Sequence, residues 1–193
     1  MKGHNAFFLA HTIAVTDVLI AARLLSRTVP DIVLTRLYTE RSIKRKIYVA
    51  SPAGDRRHCI EPDGSLEFVL QGQWQAFFHL ELYRTKLTEK RFKHKIASYV
   101  AYITSPVHEQ LFQTPALDIA VFCHDPHLAG TLRRWTEEVL HDAQQEGLGE
   151  RFYFRSITDT ATTSPAELFL TPVWEQAFGT TKTPLIVLAD ETT

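Results

Sequence analysis

Three acids in this chain are of a type and spacing suited to chemistry on a phosphate. Asp63 follows Pro62, Glu81 lies in the aromatic stretch from Trp74 to Tyr83, and Glu40 stands upstream as a third carboxylate. Two carboxylates meeting at a sheet bend offer hard oxygen ligands to a divalent cation such as Mg²⁺, with water and phosphate oxygens filling the remaining positions. A cation held in that way activates a water and neutralises the charge that develops on phosphorus during in-line displacement. The expected metal ligands are therefore Asp63 and Glu81. Side chains alternate along a strand, so position 83 acts on the same phosphate as Glu81, and here it is Tyr83. Pro62-Asp63-Gly64 is equally an ordinary tight-turn triplet, and Glu81 alone an ordinary edge-strand charge.

Positive charge gathers around these acids. Residues 36 to 95 hold thirteen Lys/Arg against seven Asp/Glu, whereas the rest of the chain holds eight against fifteen, under a net charge of −1. A local basic surface survives a neutral total, and its natural partner is DNA. Lys86, Lys90 and Lys93 recur at i, i+4 and i+7, so a helix there would present them as a stripe; with Arg84 they are the expected phosphate contacts. A solvated helix face accounts for the same spacing. Cys123-His124-Asp125-Pro126-His127 contains competent metal ligands, but Asp125 and Pro126 already read as a helix cap and first turn, and no second half matches the cluster. His11 is either a helix-start residue or a polar contact near the site.

The elements that position these groups follow from periodicity. Apolar residues from His11 to about Arg27 keep helical spacing, and Pro30 ends the run. Strands are expected at 32–38, 43–50, 66–70 and 74–83, with a loop at 51–57 and a hairpin turn at Gln71-Gly72-Gln73. Phe92, Ile96, Tyr99, Val100 and Ile103 make the apolar stripe of a helix capped by Thr88 and closed by Pro106. Leu117 to Cys123 reads as a strand buried on both faces, followed by a helix from Asp125-Pro126 that stops near Gly147, and by strands at 151–157 and 185–188. The class is α/β with a mixed sheet.

At 193 residues, with 45% hydrophobic and 22% charged residues, the chain suits one domain with a single core. No repeat or linker divides it. The two cysteines, Cys59 and Cys123, are far apart and outside any C-x-x-C pair, so both are expected to be reduced and buried. Runs such as Leu117 to Cys123 are too short to cross a bilayer, and no signal-type segment opens the chain, which makes it an expected cytoplasmic protein without membrane contact.

The acid spacing resembles the PD-(D/E)xK nuclease pattern. Around it the chain resembles the replication-relaxation proteins of bacterial plasmids and mobile elements, through His11-Thr12-Ile13-Ala14-Val15-Thr16-Asp17, Glu40, Pro62-Asp63, Phe78-His79-Leu80-Glu81, Lys95-Ile96 with Tyr99, and Thr171-Pro172-Val173-Trp174. The likeness covers residues 11–178, leaving 1–10 as a lead-in and 179–193 as a C-terminal segment. It implies a restriction-endonuclease-like fold with a mixed central sheet flanked by helices. It also implies a role in plasmid replication, DNA relaxation or mobilisation, with a relaxase or other replication protein as partner.

Two departures from the family matter. Its members usually carry an N-terminal winged helix-turn-helix, and only ten residues precede His11. They also commonly show an acid and Arg after the Glu, where this chain has Tyr83-Arg84, and the nuclease lysine is missing from position 83. In some nucleases of the class that basic group migrates to the next helix, which makes Lys95 or Lys93 the substitute. A degenerate site that only binds DNA fits as well, and Tyr83 by itself leads to an expectation of weak or absent cleavage. The competing readings are an interaction module with no DNA contact, and an enzyme using Asp63 and Glu81 on a small substrate, for which there is no phosphate loop or cofactor fingerprint.

Overall fold

A computed structural model describes residues 3–43, 47–50, 57–84 and 87–189. The elements in chain order are α1 (Gly3–Thr28), β1 (Ile32–Thr39), α2 (Glu40–Ile43), β2 (Tyr48–Ala50), β3 (Arg57–Cys59), β4 (Gly64–Leu70), β5 (Trp74–Tyr83), α3 (Glu89–Ile103) and α4 (Val107–Phe112). They continue with β6 (Asp118–Cys123), α5 (Pro126–Asp142), a 3₁₀ turn (Glu146–Arg151), β7 (Phe152–Ser156), α6 (Pro165–Phe169), β8 (Trp174–Gln176) and β9 (Lys182–Thr183). The class is mixed α/β, as expected. A seven-stranded sheet runs β1-β4-β5-β6-β7-β8-β9, and β2 and β3 form a separate antiparallel pair. The β1-β4-β5 meander is antiparallel, and β6 and β7 then join parallel.

Alternation along β5 sorts its side chains to two cores. Phe78, Leu80 and Leu82 pack with Ala14, Val18, Ala22 and Leu25 of α1 and with Phe169 of α6. Phe77 packs on the other face with Phe92, Ile96, Tyr99 and Tyr102 of α3, together with Leu132 and Leu140 of α5. Helices thus cover both faces of the sheet, and the odd-numbered end of β5, Glu81 and Tyr83, faces α3. Burying these apolar side chains on two faces is what stabilises a three-layer domain of this size.

The β4–β5 connection shows how local chemistry sets register. Gln71 and Gly72 both have positive φ, 49° and 70°, and Gln73 N–H donates to Leu70 C=O at 3.1 Å, which is the geometry of a type I′ turn. With Gln73 as one further residue before β5, the connection holds Leu70 opposite Trp74, so Gly64 meets Leu80 at the other end of the ladder and Asp63 arrives next to Glu81. A Cβ at Gly72 meets no neighbour but is strained by the left-handed backbone. Gly72→Ala is expected to cost about 1 kcal/mol in urea unfolding with an unchanged fold. An equal or higher midpoint would contradict this turn.

Several expectations are corrected. The first helix starts at Gly3 rather than His11. Ile43 ends the short helix α2 rather than opening a strand, Tyr48–Ala50 is a strand as expected, residues 44–46 and 51–56 lie outside the described residues, and Arg57–Cys59 is a strand. Pro106 is followed by the short helix α4, which the sequence reading missed along with α6, β8 and β9. The α5 helix ends at Asp142, before Gly147, because Gln144 takes the left-handed conformation and Gln145 N–H reaches back to Leu140 C=O at 2.8 Å. Leu185 and Ile186 are apolar because they fill the α1-side core, not because they form a ladder. Cys59 is exposed, and only Cys123 is buried.

The membrane expectation is also adjusted. Phe8–Thr28, 21 residues of α1, is long and apolar enough by length and composition to cross a bilayer. Its apolarity has a local use, since Ala14, Val15, Val18, Ala22 and Leu25 are buried against the sheet. Leu9, Ile13, Ile20 and Leu24 lie on the outer side.

Candidate functional site

Asp63 sits just before β4 and bridges onto β5. Its amide donates to Leu80 C=O at 2.9 Å, and its Oδ2 accepts from the Leu82 amide at 2.7 Å. These are the peptide groups on either side of Glu81, so Asp63 holds the backbone that carries the second acid. The turn reading and the site reading of Pro62-Asp63-Gly64 are therefore compatible. Asp63 also takes an ion pair from α1, with His11 Nε2 3.2 Å from Oδ1.

Glu81 is 2% exposed, and both of its oxygens are engaged by α3. Lys95 Nζ donates to Oε2 and Tyr99 Oη donates to Oε1. Lys95 and Tyr99 are one helical turn apart, so a single face of α3 delivers both groups to one carboxylate. Lys95 Nζ also reaches Glu61 C=O at 3.4 Å and lies 5.9 Å from the centre of the Tyr83 ring. Of the two lysines considered as substitutes for the missing strand lysine, the structure brings Lys95 to Glu81. Lys93 instead pairs with Glu89 at 2.6 Å and with Glu138 of α5 at 2.5 Å.

The electrostatics follow from this burial. Desolvation pushes the Glu81 carboxyl up to about 7, with the neighbouring Asp63 charge adding to the rise and Lys95 and Tyr99 working against it. His11 is raised, chiefly by its hydrogen bond to Asp63, with further pull from the charges of Asp63, Glu40 and Glu81, while partial burial opposes them. The Tyr99 and Tyr83 hydroxyls are both held well above the usual phenol range by burial and by the Glu81 charge. Tyr83 therefore stays neutral at any ordinary pH.

Glu40 lines a cavity of about 390 Å³ together with His11, Asp63 and Arg41, so the third acid reaches the same region as Asp63 from α2. Glu81 lies under α3 and does not line that cavity. Among the described residues no set of three or more His, Cys, Asp or Glu gathers closely enough to hold a metal ion by itself.

The remaining predicted contacts are dispersed. Arg84 donates from its guanidinium to Ala10 C=O at 3.1 Å and thereby ties the end of β5 to α1. Lys90 is exposed on the first turn of α3, and Lys86 lies outside the described residues. Because α3 begins only at Glu89, the three-lysine stripe is not a feature of that helix. At the start of α5, Asp125 accepts from the His127 amide at 2.9 Å as a helix cap, and His124 Nδ1 lies 3.1 Å from Ile157 C=O, just after β7. Sequence reading missed the hydrogen bond from Tyr99 to Glu81. Tyr99 was counted in the apolar stripe and beside Lys95-Ile96 in the resemblance, and its i+4 spacing from Lys95 is a signal for a shared target.

Comparison with known proteins identifies no relative: no family model matches the chain, and neither the curated proteins nor the solved structures give a significant match.

Proposed function

We propose that this chain acts on DNA through a nuclease-like site, as an accessory protein of plasmid or mobile-element replication, in which Lys95 from α3 takes the place of the strand lysine. The observation that carries the reading is the Lys95–Glu81 pair beside Asp63. The order of helix, antiparallel three-strand meander, helix and parallel strand (α1, β1-β4-β5, α3, β6) supports a restriction-endonuclease-like core.

Asp63 and Glu81 are hard oxygen donors that neighbour each other across two strands, which fits Mg²⁺, an ion commonly held by one or two carboxylates plus phosphate oxygens. When bound, such an ion supplies an activated water and charge neutralisation at phosphorus. The chain's own residues do the rest. Lys95 holds a fixed positive charge at Glu81, Tyr99 orients that carboxylate by hydrogen bonding, and His11 orients Asp63. A cytoplasmic setting follows from this role.

A second reading, DNA binding without cleavage, is favoured by the occupation of both Glu81 oxygens and by the His11 pair on Asp63. Incubating the chain with supercoiled plasmid and Mg²⁺ or Mn²⁺ separates the two. Nicking that disappears in Asp63→Asn is the expected result. Salt-dependent binding with no nicking selects the second reading, and neither binding nor nicking overturns both.

A further inference from the structure

Beside Lys95 opens another cavity, of about 540 Å³, which lies on the α3 side and shares no residue with the one that holds Glu40. One wall is α3, which contributes Arg91, His94 and Lys95 at i, i+3 and i+4. Facing it are Tyr83, at the end of β5, and Leu87, while Cys59 and the one acid of the lining, Glu61, come from the segment at and after β3, and Ser98 adds a hydroxyl on α3. Arg91 is close enough to draw the Tyr83 hydroxyl down against the effects that raise it, so the two walls face a common space. Phe92 braces the Tyr83 ring edge-on, with centroids 5.4 Å apart.

This pairing of a cationic wall with an aromatic and apolar one is selective about nucleic-acid form. A duplex turns its phosphates outward and keeps its bases stacked inside, so it can use the cations but has nothing to place against Tyr83 and Leu87. A single strand presents both parts, and sites that bind it combine positive charge for the backbone with aromatic side chains for unstacked bases. The volume lies in the roughly 300–1,000 Å³ range of small-ligand pockets, which suits one nucleotide and excludes a helix.

We propose that this cavity receives one unstacked nucleotide of single-stranded DNA, its phosphate against Arg91 and Lys95 and its base against Tyr83 and Leu87. The proposal rests on the reading that the chain acts on DNA and adds the strandedness of what it holds. It also moves the principal phosphate contact from the Lys90 and Lys93 side of α3 to Arg91.

The test is fluorescence anisotropy of the full chain, in EDTA, with a labelled oligothymidine and with a duplex of equal length over a series of salt concentrations. The single strand is expected to bind about tenfold more tightly than the duplex. Arg91→Ala should weaken it about tenfold and lower the slope of log K against log salt by about 0.7, the value of one lost single-strand phosphate contact. Tyr83→Leu should cost about tenfold and Tyr83→Phe little, because only the ring is used. Lys93→Ala should match the wild type. Equal or tighter duplex binding, or an Arg91→Ala variant with unchanged affinity and slope, overturns the cavity assignment and leaves the DNA reading standing. Binding of neither DNA overturns both.

Discussion

Replacing Lys95 by alanine is expected to slow plasmid nicking at least 100-fold, the usual scale for removing a preorganised charge that stabilises a transition state. The ammonium group is the only cation hydrogen-bonded to Glu81 among the described residues, and Tyr83, two positions beyond Glu81, is held neutral. Because Lys95→Ala also leaves a buried carboxylate with one partner fewer, Lys95→Arg is the companion variant: it keeps the charge and should retain most of the folded stability while recovering part of the rate. Lys93→Ala, which breaks only the pairs with Glu89 and Glu138, should nick like the wild type. Initial rates at saturating Mg²⁺, with thermal unfolding of each variant as a control, decide the matter. Should a folded Lys95→Ala protein cut at the wild-type rate, the migrated-lysine assignment would be wrong.

The second large effect is on stability against pH. Glu81 has a folded-state pKa of about 7 against an ordinary value of 4.5, because burial disfavours its charge more than Lys95 and Tyr99 favour it. A group raised in the folded state binds its proton more tightly there than when unfolded. Its contribution is therefore complete below pH 4.5 and is lost as pH rises to about 7. A tenfold difference in proton affinity between the two states is worth about 1.4 kcal/mol, so the loss over this interval is about 3 kcal/mol. Glu81→Gln keeps an acceptor for Lys95 and a donor for Tyr99 but cannot ionise. Its stability relative to wild type should accordingly increase by about 3 kcal/mol between pH 4.5 and 7.5 and stay level above that. Asp118, whose carboxyl burial also pushes up to about 7, titrates in the same window, so the difference between the two proteins and not the wild-type curve is the quantity to measure. Urea unfolding in EDTA across pH 4 to 9 gives it, and a constant difference would exclude a buried, proton-binding Glu81.

Much of this architecture was legible because it is written in short-range chemistry. The limits of β5 and the positions of α3 and β7 were recovered to within a residue or so, and the start of α5 followed from Asp125-Pro126. Each depends on residues close in sequence: a turn that needs positive φ, a period of two or 3.6, a capping side chain. The placement of Asp63 beside Glu81 was within reach for the same reason, since one hairpin register determines it.

The tertiary structure decided what depends on partners from other elements. Ile43, Ile47, Leu185 and Ile186 are apolar because they meet cores, and apolarity alone does not distinguish a strand from a packed turn. Three neighbouring lysines looked alike in sequence, yet packing of α3 on α5 commits Lys93 to Glu138, while the inner face of the same helix sends Lys95 under β5 to Glu81. Arg84, expected to face phosphate, also reaches α1, where it donates to Ala10 C=O. A charged side chain carries no information in its own type about which partner it will meet. That choice is made when helices dock on the sheet, because burying a carboxylate such as Glu81 is tolerated only where packing brings a cation and a hydroxyl to both of its oxygens.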